Sequence, residues 1–194
     1  MKINLIALTT LLVAALTARA QNNDRVITVT GDTIACQINL PVFSAPKYRT
    51  SKNEKAKKIK TDSVKEYYTA DKSTWYRRVF YDPKVLWVRN KVCFMTVVES
   101  GKINLYELIT STTSYGANGT MYSSSNTGWY VSKGTDTAIL IKGTLLARQK
   151  RKNEFADLLA DNKTVYDKYM ADDKFGFDEI RNLVHLYNTG EPYK

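Results

Sequence analysis

The sequence predicts an α+β fold: an antiparallel β-sheet or partly closed β-barrel, followed by two to three C-terminal helices packed on it. Three observations carry this. Short runs rich in Val, Ile, Tyr, Phe and Trp, punctuated by turn residues, fill residues 25–142. Beyond residue 148 the apolar spacing changes to i, i+3, i+4. The strand part lies wholly before the helical part, the order expected when helices cover a face or end of an antiparallel sheet. At 194 residues, 43% hydrophobic and 25% charged, the chain has the make-up of one folded domain, with room for a small appendage.

Residues 1–20 stand apart. Lys2 precedes a 12-residue apolar run at 5–16 (LIALTTLLVAAL), and Ala18-Arg19-Ala20 has the small-x-small form that signal peptidase accepts. The run is short of the roughly 20 residues that a bilayer span needs. Residues 1–20 are therefore expected to be a signal peptide, with the mature chain starting at Gln21. No Cys follows the run to carry a lipoprotein anchor, and no later segment has the length of a transmembrane helix. The expected destination is the periplasm, the outer-membrane periphery or the medium.

The mature chain divides into a β-rich part, 21–143, and a helical segment, 144–194. In the first part, residues 26–29 and 34–38 flank Thr30-Gly31-Asp32-Thr33, where Gly31 suits the first central position of a type II′ turn. Residues 41–60 lack usable periodicity and read as a basic loop. Strands are expected at 64–68 and 74–80 around Ala70-Asp71-Lys72, and at 85–88 after Asp82-Pro83. The run 92–98 (VCFMTVV) reads as a central strand buried on both faces. A turn at 99–102 leads to a strand at 103–109. Residues 110–128 (TSTTSYGANGTMYSSSNTG) read as a mobile loop, and 129–131 with 137–141 as a last hairpin.

In the helical segment, Phe155, Leu158 and Leu159 share a face, as do Val165, Tyr166, Tyr169 and Met170. Asp178 is the expected N-cap of a third helix whose stripe is Ile180, Leu183, Val184 and Tyr187.

The succession TGDTIACQI, ESGKINLYEL, YVSKGTDTAILI and a Lys/Arg-rich helix leading to RNLVHLYN resembles an uncharacterised family of secreted, β-rich proteins of Bacteroidota-type bacteria. The resemblance implies export to the cell envelope. It assigns no catalytic residues.

Charge is uneven. The chain carries a formal net +10, and residues 47–60 hold seven Lys or Arg against one Glu. The stretch 153–194 is acidic, with nine acidic and five basic residues. A Lys-rich segment attracts polyanions, so Lys52, Lys55, Lys57, Lys58 and Lys60 are the candidate contacts to anionic envelope lipid or polysaccharide. Export argues against intracellular nucleic acid as a partner. Trp75, Tyr76, Arg77 and Arg78 interleave aromatics with cations and are a second candidate surface.

Signals for catalysis are sparse. The one His, His185, falls near 140° from Ile180 at about 100° per residue, on the face opposite the apolar stripe, as a solvated helix histidine would. Phosphate-loop, dinucleotide and G-x-S-x-G fingerprints are lacking. No catalytic residue, cofactor or metal site is assigned. An EF-hand loop with Gly176 sixth would begin at Ala171, which offers no side-chain oxygen. Cys36 and Cys93 both fall in expected strands, and export permits a disulfide between them; two buried free thiols are the other outcome. The expected function is thus a non-enzymatic envelope or secreted protein working by contacts. The competing class is a hydrolase using the carboxylates of Asp172-Asp173 and Asp178-Glu179.

Overall fold

The computed structural model describes residues 24–41, 44–82, 91–143, 148–171 and 176–193. The expected signal segment, the expected strand at 85–88, and Asp172 and Asp173 lie outside the described residues.

Among the described residues ten strands form one antiparallel sheet that does not close: β1 (Asp24–Thr28), β2 (Thr33–Asn39), β3 (Lys47–Arg49), β4 (Lys57–Lys58), β5 (Val64–Thr69), β6 (Thr74–Phe80), β7 (Val92–Glu99), β8 (Ile103–Tyr115), β9 (Met121–Lys133) and β10 (Ile139–Lys142). Their spatial order is β10-β9-β8-β7-β6-β5-β1-β2-β3-β4. From β1 the chain steps out to the β4 edge, returns to place β5 beside β1, and then meanders to the far edge.

The return decides the curvature. Residues 59–63 must join β4 to β5, four positions away, or about 19 Å across a flat sheet. The link is not extended, because the Val64 N–H donates to the Lys60 carbonyl at 2.9 Å. The sheet curls instead, and Ile59, in the link, is buried with Val26, Val64 and Tyr67. Asp24 fastens this half: its carboxylate accepts from the Ile38 N–H at 2.6 Å and the Ala70 N–H at 2.8 Å.

The other half buries side chains on the opposite face as well. Val79, Met95, Tyr106 and Tyr130 gather on the opposite face with Tyr81 and Ala138. One parallel bridge, Tyr81 to Ala138, draws the end of β6 toward the start of β10. This change of face explains a difference from expectation. The 92–98 run is an interior strand, yet Met95 is the one fully buried residue of β7, because the covered face changes beside it.

Helices α1 (Arg148–Leu159), α2 (Lys163–Ala171) and α3 (Phe177–Thr189) cover the remaining face of the second half. Phe155, Leu159, Val165, Tyr169, Ile180 and Val184 pack on Ile103, Leu105, Val131 and Ile141. Each fully buried Leu, Val, Ile or Phe contributes about 1.5–3 kcal/mol, so these contacts are what hold the helices to the sheet. Met170, placed on the α2 stripe by spacing, is exposed.

Several local expectations are corrected. Gly31 does take a positive φ of 95°, but it is the last residue of a three-residue turn. The Gly31 N–H donates to the Thr28 carbonyl and the Thr28 N–H to the Asp32 carbonyl, the three-residue loop form rather than type II′. The N-cap of α3 is Gly176, not Asp178. Asp178 and Glu179 sit in the first helical turn, where the dipole favours acids. Residues 110–128 are a loop only at 116–120. They form the outer half of the β8–β9 hairpin, paired continuously to Tyr115 opposite Met121, because Thr and Tyr favour strands and the ladder satisfies the backbone.

Candidate functional site: a cationic hairpin beside an uncovered sheet face

The basic segment is not structureless either. Lys47–Arg49 and Lys57–Lys58 pair as β3 and β4 at the sheet edge. The hairpin is ordered from both sides. Ile59 is buried and its N–H donates to the Pro46 carbonyl at 2.8 Å. Glu54 gathers the turn, accepting from the Thr50 hydroxyl and pairing with Lys57 at 2.8 Å. Hydrogen bonds from Lys57 and Thr50 hold the Glu54 carboxyl below its ordinary range, and the same partner raises the Lys57 ammonium. Both groups are exposed, so the pair orders the turn more than it stabilises the fold.

All five predicted lysines are exposed. Lys57 is the one held by Glu54; among the described residues Lys52, Lys55, Lys58 and Lys60 have no ion-pair partner. Register adds a feature that spacing could not reveal. Lys47 stands directly opposite Lys58, an arrangement that destabilises a ladder. Lys at an edge also discourages a foreign strand from pairing there.

The second predicted surface is divided by the pleat. Trp75 and Arg77 face one side with Tyr68 and Glu66, while Tyr76 and Arg78 face the other with Tyr67 and Phe94. Tyr76 stacks on Tyr67, ring centroids 4.7 Å apart, within the core cluster around Val26. Arg78 donates to the Thr61 carbonyl at 3.0 Å. Arg77 is held by Glu66 at 2.9 Å and by Asn104 at 3.3 Å. Four residues adjacent in sequence therefore do not make one surface.

Trp75 instead belongs to a row across three strands. Arg25 stands opposite Tyr68 and Tyr68 opposite Trp75, and the Arg25 guanidinium carbon lies 4.9 Å from the centroids of both rings. The same side of the sheet continues through Ala35 and Gln37 to Arg49, Lys47 and Lys58. Arg49 donates to the Gln37 side chain through Nε at 2.9 Å and Nη2 at 2.6 Å. Sequence reasoning missed Arg25, Tyr68, Lys47 and Arg49 as parts of one face, since strand neighbours far apart in sequence leave no local signal.

The other candidates fall elsewhere. Cys36 and Cys93 are free thiols, on β2 and β7, with three strands between them. The expected disulfide option is thereby corrected: the two sulfurs pack in different clusters, and a bridge needs Cα atoms within about 7 Å. Burial pushes each thiol up to about 11, so neither is a ready thiolate nucleophile at neutral pH.

His185 is half-buried, not solvated. Its Nδ1 lies 3.5 Å from Glu99 Oε1 and forms no hydrogen bond there, while Tyr193 meets its ring edge-on at 5.2 Å. The face of α3 that spacing assigns to water is covered by the end of β7 and the C-terminal tail. Glu179 lines a cavity of 280 Å³ between α2 and α3 with Lys168, Asn182 and Tyr193. Asp178 is exposed and outside that lining, so this predicted pair does not converge on one cleft.

No family model matches the chain. No curated protein and no solved structure matches it. The functional reading rests on the residues themselves. Among the described residues no helix is long and apolar enough to cross a membrane.

Proposed function

We propose that this is an exported envelope protein that acts by contact, holding anionic surfaces through the β3–β4 hairpin and the sheet face beside it. The observation that carries the reading is Lys47 directly opposite Lys58, with exposed Lys52, Lys55 and Lys60 nearby in sequence and without acidic partners among the described residues. Like charges in register cost stability in the free protein. A surface dense in phosphate or carboxylate would remove that cost, so the anion gains both attraction and relief of repulsion. Trp75 and Tyr68, with Arg25 against both rings, add apolar area for a headgroup or sugar ring. Export is supported by Lys2, the apolar run at 5–16 and Ala18-Arg19-Ala20.

Lys is a hydrated point charge on a flexible stem and acts by diffuse attraction. Each one near an anionic membrane contributes about 1 kcal/mol, within a Debye length of about 8 Å at physiological salt. The test is sedimentation with vesicles containing phosphatidylserine, with phosphatidylcholine vesicles and an acidic polysaccharide as separate arms, across a salt series. Binding to the anionic arms should weaken steeply with salt and vanish when Lys52, Lys55, Lys57, Lys58 and Lys60 become Gln. Binding retained in that variant would move the site to Trp75 and Arg25. No binding to either polyanion at low salt would end the proposal.

A further inference from the structure

The outer half of the β8–β9 hairpin is a two-stranded ribbon that leaves the sheet. Pairing of β8 with β7 ends at Glu107 opposite Thr96, and pairing of β9 with β10 ends at Trp129. Beyond these points β8 and β9 pair only with each other among the described residues. At about 3.3 Å per residue the seven residues 109–115 reach about 23 Å outward.

This ribbon lacks the devices that protect the rest of the sheet. One sheet edge is the two-residue Lys57–Lys58 strand, and the other is the four-residue β10. The ribbon offers two long edges with neither Lys nor Pro, within a run of 25 residues (108–132) free of formal charge in a chain that is 25% charged. Long unprotected edges are templates for strand addition, and a lone two-stranded hairpin is marginal in water.

We propose that the β8 edge, residues 109–115, pairs antiparallel with the same edge of a second copy of this chain, about a two-fold axis at Thr112. The sequence Ile109-Thr110-Ser111-Thr112-Thr113-Ser114-Tyr115 is chemically palindromic about that residue. The two-fold sets Ile109 against Tyr115 at each end and hydroxyl against hydroxyl at every position between. The paired residues also share a face, because Ile109, Ser111, Thr113 and Tyr115 alternate with the rest. Ile109 and Tyr115 are 59% and 74% exposed in the single chain, and each would gain a β-branched-to-aromatic cross-strand pair. The β9 edge is less self-complementary: about Ser124 it would set Met121 against Thr127 and Tyr122 against Asn126.

A second copy fits better than a charged partner, because the ribbon has no charge to recognise one. Its length also keeps two cationic bodies farther apart than the Debye length of about 8 Å. The contact is small beside the roughly 1,200 Å² of a stable interface, so the dimer is reversible and concentration-dependent.

The test is sedimentation equilibrium of the purified protein over a concentration series, with Thr112→Lys, Thr112→Glu and an equimolar mixture of the two. Wild type should form a dimer whose constant changes little with salt. Each single variant should dissociate at least about tenfold more readily, because the new charge meets itself across the axis, and the mixture should recover the dimer. A monomeric wild type, a Thr112→Lys variant that dimerises like wild type, or a mixture that stays monomeric would overturn the proposal. Thr112→Cys gives an independent reading, since opposed strand residues are about 4.5–5.5 Å apart and within disulfide range. On oxidation it should yield a covalent dimer that Ser124→Cys does not. The reverse result would place self-association on β9 and refute the β8 pairing.

Discussion

The side chain of Asn188 pairs with the backbone of Ile103 as a strand residue would. Its Oδ1 accepts from the Ile103 N–H at 2.9 Å, and its Nδ2 donates to the Ile103 carbonyl at 2.8 Å. Ile103 is fully buried, and Gly101 makes the approach possible: a Cβ there would collide with the Asn188 carboxamide. Two short stretches, ESGKINLYEL and RNLVHLYN, thus meet as one fastening between β8 and the end of α3.

Replacing Asn188 with Ala would leave the Ile103 N–H and carbonyl without those partners, at a cost of about 1–3 kcal/mol per group. Asn188→Asp keeps the acceptor but sets a carboxylate oxygen against the Ile103 carbonyl, so at neutral pH it should destabilise at least as much as Ala. Gly101→Ala should also destabilise, by displacing Asn188. Urea titrations of the three variants check this ordering; an unchanged midpoint for Asn188→Ala would remove the fastening from the account.

Phe155 meets Tyr169 edge-on at 5.1 Å inside the helix–sheet core. Truncating Phe155 to Ala should cost about 3–5 kcal/mol, visible as a large fall in Tm. Met170→Ala, on the exposed side of α2, should shift Tm by far less. Equal effects at the two positions would contradict the placement of α2.

Alkaline pH should unfold the protein early. Burial pushes Cys36 and Cys93 from an ordinary 9.0 up to about 11, and Tyr130 from 10.0 up to about 12; it raises Tyr67 as well. The folded state therefore holds these protons more tightly than the unfolded chain. The stabilisation is complete below pH 9, declines as the unfolded groups ionise, and is lost as pH rises through about 11 and 12. Urea midpoints between pH 7 and 12 should be level at first and then fall, with a smaller fall in Cys93→Ala. A midpoint independent of pH up to 12 would contradict this.

The Arg25 guanidinium, 4.9 Å from the rings of both Tyr68 and Trp75, should couple to Trp75 by about 0.5–1 kcal/mol. A double-mutant cycle of Arg25→Ala and Trp75→Ala measures it. Additive effects would mean that the three side chains are neighbours without energetic consequence.

Much of this protein was legible in its sequence. The strands at 64–68 and 74–80, and the helical faces of Phe155, Leu159, Val165, Tyr169, Ile180 and Val184, follow from periods of 2 and 3.6, which are local properties of the chain. So does the α+β class. What the tertiary structure decided is non-local. Trp75 and Tyr76 were legible as strand aromatics, but only the pairing of β6 with β5 and β7 sends one outward to Arg25 and the other into the core. Residues 110–128 looked like a loop because hydroxyl side chains carry little hydrophobic signal, and the hydrogen bonds that make them a ribbon come from a strand with the same silence. Lys47 and Lys58 lie 11 positions apart, and their opposition exists only in the register of β3 on β4. His185 faces away from the apolar stripe as helix spacing requires, and it is covered because Glu99 and Tyr193 arrive from other parts of the chain. Spacing along a strand or helix reports which way a residue faces relative to its neighbours; what it faces is set by pairing and curvature, which depend on residues far away in sequence.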